Sequence, residues 1–257
     1  PFEEVGTTVN NLGTGGGSWS MYNSNGVPTD LHGPGLLGGS AFDNTAATGM
    51  GSLGSGGAIR SNADVEPLDA LTSFTISGWI GGLSAINGGG AVIFQDIQAS
   101  AANGISLTLG NNLLQLTINN STHSSSAGAF SQATNGWVFF AVTFDGTVGA
   151  NNVNFYVGST NTSVSLINSL TTPQTVTTNN TQIAGIGNSI FGAQNNRPFD
   201  GSLDNFRLHG STSDGSGALS LSELEALRAA DIVPEPSSAL LLGVGAVLLG
   251  RLLARRS

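Results

Sequence analysis

From Phe74 to Leu208 the chain keeps returning to one pattern: apolar and polar residues alternating with a period of two. Ser73 to Ile80 places Phe74, Ile76, Gly78 and Ile80 on one face and Thr75, Ser77 and Trp79 on the other. Ile105, Leu107 and Leu109 alternate with Ser106 and Thr108, and Leu114, Leu116 and Ile118 with Gln115 and Thr117. Successive side chains leave opposite faces of a strand, so this period fits strands and not helices. Val92 to Ile97 is a short apolar strand, Ile183 and Ile186 flank another, and Leu203 to Leu208 is the last, with Phe206 and Leu208 on one face. Trp137 to Phe144 is apolar on both faces, the mark of a central strand covered on each side. Asp145-Gly146 then begins a turn, and Val153, Phe155 and Val157 form the returning partner. Many short strands separated by turn residues predict an all-β, two-sheet antiparallel sandwich.

Composition agrees. Charged residues make up 9%, there are 38 Gly, and Asn, Ser and Thr are abundant. Gly/Ser-rich chains of this kind are often disordered, but the period-two apolar residues argue for a core. Residues 1–37 carry little pattern and read as a loop-rich edge. One helix interrupts the strands. Ser220 with Glu223, and Ser222 with Glu225, each have capping-box spacing, and Leu221, Leu224 and Leu227 share a face. This predicts a short helix over Leu221 to Ala230, lying against the sandwich.

The end of the chain has a different character. Val233-Pro234-Glu235-Pro236-Ser237 precedes an uncharged apolar run, Ala239 to Gly250, and then Arg251, Arg255 and Arg256. The two prolines stop any helix entering from upstream. A spanning helix needs about 20 residues, and snorkelling by Arg251 extends a run that is otherwise short. The arginines then stay on the cytoplasmic side. The competing reading is a buried core helix at the C-terminus. The expected organisation is a β-sandwich over 1–230, a linker carrying the proline motif over 231–236, and a transmembrane helix with a basic end over 237–257.

Charge is uneven. Before Ser237, four Arg stand against 16 Asp and Glu, leaving −12, and there is no Lys. Such a surface excludes nucleic acid as a partner, because phosphate neutralisation needs cations. Divalent cations or neutral glycans fit better. There is no Cys, so disulfides and thiolate metal sites are excluded.

The residues give little support to catalysis. Glycoside hydrolysis needs two facing carboxylates, and Glu3, Glu4, Glu66, Glu223, Glu225 and Glu235 lie on no predicted inner strand. His32, His123 and His209 are far apart and read as solvated loop residues. Two G-x-G-x-x-G matches, from Gly33 and Gly49, follow no strand and open no helix. A structural calcium ion is a candidate cofactor, with Asp43, Asn44 and Asp204 as ligands, against the alternative that these residues fix turns. Asp204 shares its predicted strand face with Phe206 and Leu208, so it either points inward or accepts backbone hydrogen bonds. Trp19 is the candidate platform for stacking on a sugar; Trp79 and Trp137 read as packing residues.

Two resemblances add to this. Val233 to Ser237, the apolar run and the Arg cluster together resemble the PEP-CTERM sorting signal of Gram-negative bacteria. That resemblance implies export, a transient stay in the inner membrane, processing near Pro234 to Pro236 by an exosortase, and delivery to the cell surface or extracellular matrix. Leu71 to Ile80, Gly136 to Gly146, Phe199 to Leu208 and Ala218 to Leu227 resemble, in order, the motifs of laminin-G-like, concanavalin A-like domains, as do Ser40 to Asp43 and Glu4 to Thr8 more softly. That resemblance implies a jelly-roll sandwich and a first strand largely missing ahead of Pro1. An exported chain also needs an N-terminal signal, so the sequence is expected to lack its start. Phe139 and Asn205 stand where the family has His and Glu. The expected function is a non-catalytic carbohydrate-binding module for extracellular polysaccharide. The alternatives are a structural or adhesive matrix protein and, behind it, a glycoside hydrolase.

Overall fold

The structure is a computed structural model that describes residues 6–47, 56–83, 90–97, 103–134, 136–173, 175–176, 183–189 and 197–233. Fifteen strands and one α-helix are formed by them. An eight-stranded sheet takes the order β1 (Thr8–Val9), β2 (Trp19–Asn23), β5 (Gly57–Asp64), β14 (Ile183–Ile186), β7 (Ala91–Ile97), β8 (Gly104–Gly110), β9 (Leu113–Ile118) and β10 (Ser121–Ser124). A seven-stranded sheet takes the order β13 (Ser165–Leu170), β12 (Val153–Ser159), β11 (Val138–Asp145), β6 (Ser73–Gly81), β15 (Ser202–Ser211), β4 (Ser40–Asp43) and β3 (His32–Pro34). Neighbours pair antiparallel throughout both sheets. The two-sheet sandwich and the single helix are as the sequence predicts.

The alternating pattern sets which side of each strand is inside. Phe74, Ile76 and Ile80 of β6 meet Ile105, Leu107 and Leu109 of β8 and Leu114, Leu116 and Ile118 of β9 in one core between the sheets. β11 joins that core through Val138, Phe140, Val142 and Phe144. Its other face, Phe139 and Ala141, packs with Trp79, Tyr156 and Leu224 in a second cluster outside the seven-stranded sheet. The strand is therefore covered on both sides, as its unbroken apolar run requires. Asn111-Asn112 and Asn119-Asn120 take positive φ and close the β8–β9 and β9–β10 hairpins, which suits their two-residue loops.

The cover over the second cluster is the helix, α1 (Leu221–Asp231). Of the two possible capping boxes the first is used: Ser220 Oγ accepts from the Glu223 amide, and Glu223 reaches back to the Ser220 amide. The polar positions of β6 hold the segment leading into it. Ser73 Oγ donates to the Asp214 carbonyl and accepts from the Gly217 amide, and Thr75 Oγ1 donates to the Gly217 carbonyl and accepts from the Leu219 amide. At its far end Asp231 accepts from the Trp79 indole N–H at 2.8 Å and from both terminal nitrogens of Arg207. Arg228 ties the middle to β12 through the Ser159 carbonyl, in room left by Gly158.

Within residues 1–37, the described residues 6–37 are more regular than their composition indicates. β2 pairs with β5 over five residues, and β3 pairs with β4. Only Met21 of β2 is fully buried, so the strand carries almost no apolar period. Partner hydrogen bonds, not pattern, make it a strand. The expected transmembrane segment, 237–257, lies outside the described residues; among those, no helix is long and apolar enough to cross a membrane.

Candidate functional site

The nominated calcium ligands are already engaged. Asn44 is buried; its amide donates to the carbonyls of Gly57, Gly187 and Phe199, and its oxygen accepts from the Gly57 amide at 2.6 Å. Asp43 Oδ1 accepts from the backbone and hydroxyl of Thr45. Asp204 accepts from the amides of Leu36 and Asn205. The sequence placed Asp204 on the face of Phe206 and Leu208, and this is corrected. A bulge between Asp204 and Arg207, with Asn205 at φ 46°, turns Asp204 outward while Leu203, Phe206 and Leu208 face the core. Of its two predicted alternatives, the backbone-bonded one holds. Gly33 and Gly35 give these carboxylates space: a Cβ at Gly33 would lie 2.5 Å from Asp43 Oδ2, and one at Gly35 2.9 Å from Asp204 Oδ2. Among the described residues no three His, Asp or Glu side chains gather as metal ligands. A calcium ion on Asp43, Asn44 or Asp204 would therefore have to compete with these backbone bonds.

Trp19 lies on the inward face of β2, two residues from Met21, and not on an outer platform. It lines a groove of about 800 Å³ at one margin of the sandwich, together with Leu68, Leu71, Phe94, Phe206 and Leu208. The groove runs beside β15. That strand pairs with β6 to Ser211, but with β4 only at Ser202 and Leu203 among the described residues. The opposite margin is sealed, because Asn168 of β13 donates to the Ser124 carbonyl of β10 and Ser126 donates to the Ile167 carbonyl.

The outer face of the eight-stranded sheet has another chemistry. Strand register lines up Ser20, Arg60, Gly185, Gln95, Ser106, Thr117 and Thr122 in one row across seven strands. At about 4.8 Å between strands the row is about 29 Å long. Gly185, Gln95 and Ser106 in its middle are buried; its ends are accessible. Gln95 Oε1 is buried and makes no hydrogen bond among the described residues, an arrangement that disfavours the site unless a donor reaches it. At one end Thr117 and Thr122 bond each other at 2.9 Å, and Gln115 donates to Ser124. At the other end the Arg60 guanidinium lies 5.5 Å from the centre of the Tyr22 ring. The Tyr22 hydroxyl reaches Asn62, which in turn donates to Ser18. Burial lowers the Arg60 pKa, and Tyr22 opposes that shift. Among the described outward positions of this face the one acid is Asp64, four residues along β5 from Arg60.

The histidines are not loop residues, as the sequence suggested. His32 lies on β3 with Nδ1 2.6 Å from Asp30, His123 on β10, and His209 on β15. Burial lowers the pKa of His123 and of His209, where Arg207 adds to it. They lie on three different strands, and His123 Nε2 is 3.3 Å from the Ser121 hydroxyl. The sorting motif meets the described residues only at Val233, which is 65% exposed; Pro234, Glu235, Pro236, Ser237, Arg251, Arg255 and Arg256 lie outside them. The row across the eight-stranded sheet was missed by sequence reading. Its residues sit on strands far apart in the chain, and only pairing brings them into line.

Comparison with known proteins follows the fold. No curated protein matches the chain. Among solved structures, a botulinum neurotoxin type C, reported with cell entry dependent on two ganglioside molecules, superposes with TM-score 0.57 at 15% identity, covering 88% of this chain and 51% of the other. Domain 4 of AbnA, a GH43 extracellular arabinanase from Geobacillus stearothermophilus, in complex with arabinotriose, gives 0.55 at 16%, covering 82% and 88%. A mutant GH54 α-L-arabinofuranosidase gives 0.58 at 13%, covering 88% and 50%. The chain spans about half the length of the first and third. At these identities the likeness is one of fold. The sequence itself matches Laminin_G_3, described as the concanavalin A-like lectin/glucanases superfamily, over residues 53–214. That match runs from β5 to β15, most of both sheets, and the chain belongs to this family.

Proposed function

We propose that the chain is a non-catalytic carbohydrate-binding module that recognises extracellular polysaccharide on the outer face of its eight-stranded sheet. The observation that carries this reading is the row from Ser20 to Thr122, with Ser and Thr hydroxyls and Arg60 at its accessible ends and Tyr22 beside it. Sugar hydroxyls need such donors and acceptors, and sugar faces stack on aromatic rings. Hydrolysis would need two carboxylates about 5 to 9.5 Å apart, and the described outward positions of this face offer Asp64 alone. The C-terminal segment supports export: Val233 leaves the fold exposed, directly before the proline motif. In this reading an exosortase processes the motif, the chain is held briefly in the inner membrane, and the domain reaches the cell surface or matrix.

A second reading, a structural or adhesive matrix component, is favoured by one observation. Among the described residues the β8–β10 half of the face presents Thr108, Gln115, Thr117, Thr122 and Ser124 and no aromatic side chain. Polysaccharide pull-down and glycan-array binding, with and without calcium, separate the two. Binding lost on Tyr22→Ala supports the module. A folded chain that binds no glycan in either condition supports the matrix component. Binding abolished by a chelator and by Asp43→Asn would return calcium to the site. Fractionation and mass measurement of the mature C-terminus test the sorting step: a chain that stays uncut in the cytoplasm would refute it.

A further inference from the structure

We propose that the free edge of β15 docks an extended strand of a different protein, one with large apolar side chains at every second position and neutral or acidic side chains between them. The site is the groove beside β15 and does not depend on the glycan reading.

The groove touches Phe206, Arg207, Leu208, His209 and Gly210 in succession. Phe206 and Leu208 face the core, whereas Arg207 faces the other way, toward Asp231 of α1. Successive side chains of a strand leave opposite faces, so a groove that meets all five runs along the strand's edge and not over one face. That edge is free. On this side β15 pairs with β4 at Ser202 and Leu203, and among the described residues no second strand and no side chain bonds to its backbone there from Phe206 to Gly210. A strand with one neighbour points the N–H and C=O of every second residue away from it, so roughly half of these five present unused backbone donors and acceptors. A second strand meets such a row along its whole length; a sugar or a single side chain meets it at one point.

The walls set the chemistry of that strand. Trp19, Val65, Phe206 and Leu208 line the groove and pack against the core, yet they are only partly buried. Apolar side chains on the inward side of an added strand would complete their burial. Five residues of edge span about 17 Å, and the groove's volume of about 800 Å³ leaves room for large inward side chains along that length. Charge narrows the partner further. The lining contains no Asp or Glu, although four Arg stand against 16 acids before Ser237. A basic strand would be held all over such a surface, whereas a neutral or acidic one meets least repulsion in this groove. Between Phe206 and Gly210 there is also no Pro and no inward-pointing charge, two of the features that keep natural edges from pairing.

The test is titration of the full chain with a short synthetic peptide in which Val and Phe alternate with Thr and Glu. At saturation, hydrogen exchange of the amides between Phe206 and Gly210 should slow at least roughly tenfold. N-methylation of every second peptide nitrogen removes backbone donors and keeps the side chains. Methylating the set that faces β15 should weaken binding about thirtyfold, the scale of two lost hydrogen bonds, and methylating the other set should leave it unchanged. Leu208→Lys, which sets a charge in the groove, should abolish binding, with melting temperature confirming the fold. Equal loss from both methylated sets, or equal binding of a peptide with the same residues grouped instead of alternating, overturns the strand assignment. Amides that already exchange slowly in the chain alone would show the edge covered by the chain itself, and a dimer formed through this edge would place a second copy there; either overturns docking of a different protein.

Discussion

Replacing Asp231 should loosen the helix from the sheet. An acid in the last turn of a helix opposes the helix dipole, so its presence there needs a local reason. The reason is two donors: the buried Trp79 indole and the Arg207 guanidinium, both on adjacent strands of the seven-stranded sheet. The Asp231 side chain is 4% exposed and that of Arg207 27%. Removing one partner of a buried pair costs about 3–5 kcal/mol. Arg207 can recover water on its exposed side, which reduces that share, while Trp79 keeps a buried N–H without an acceptor at about 1–3 kcal/mol. Asp231→Ala should therefore lose about 3 kcal/mol. For a domain of this size that is about 6–12 °C in melting temperature. Asp231→Asn keeps an oxygen for Trp79 and should lose roughly half as much. Urea denaturation at unchanged m-value measures both, and a double-mutant cycle with Arg207→Met isolates the ion pair, expected at about 1–2 kcal/mol of coupling. A loss below about 1 kcal/mol for Asp231→Ala would refute the idea that this end of α1 is clamped.

Three further outcomes follow from local geometry. The Arg228 guanidinium, and after it the Val164 amide, hold Glu225 down to about 2 from its ordinary 4.5, so this contribution is complete above about pH 4.5 and lost as pH falls toward 2; Glu225→Gln should flatten the stability–pH curve in that window, as read by urea midpoints at successive pH values. Gly187 takes φ +82°, and a Cβ there would lie 2.3 Å from Phe42 Cε1; Gly187→Ala should lose about 2–4 kcal/mol from backbone strain and overpacking, as read by thermal melting. Ser220→Ala removes the hydroxyl of the capping box and should cost about 1 kcal/mol in the same assay, with Glu223→Gln costing less.

What could be read in advance tracks how much apolar side chain each strand buries. β6, β8, β9 and β11 each bury several large side chains on one face, so their alternation fixes both strand and side. α1 declared itself through Ser220 and Glu223, which act within one turn. β2 and β5 carry Ser, Asn, Arg and Tyr at outward positions and only Met21 and Ile59 as fully buried large residues, so their signal is weak and their pairing decides. The bulge at Asn205 reverses the face of Asp204, and a register shift of this kind leaves no trace in a period-two count. Trp19, the expected exposed platform, lies two positions from Met21 on β2 and so faces inward. Family resemblance identified the sandwich, but the row from Ser20 to Thr122 depends on six pairings between strands distant in sequence.

The second hydrophobic cluster also has a consequence in time. Trp79, Phe139, Ala141 and Tyr156 belong to strands made early, yet their cover, Leu219, Leu224 and Ile232, belongs to the last described stretch of chain. A chain emerging from its N-terminus can form both sheets and still show this apolar surface, because its lid has not yet been synthesised. Until Ile232 is out, the outside of the seven-stranded sheet is a sticky face on an otherwise finished sandwich. The domain thus becomes fully soluble only as its C-terminal end appears, so a chain stopped anywhere short of α1 should aggregate even though its strands are complete.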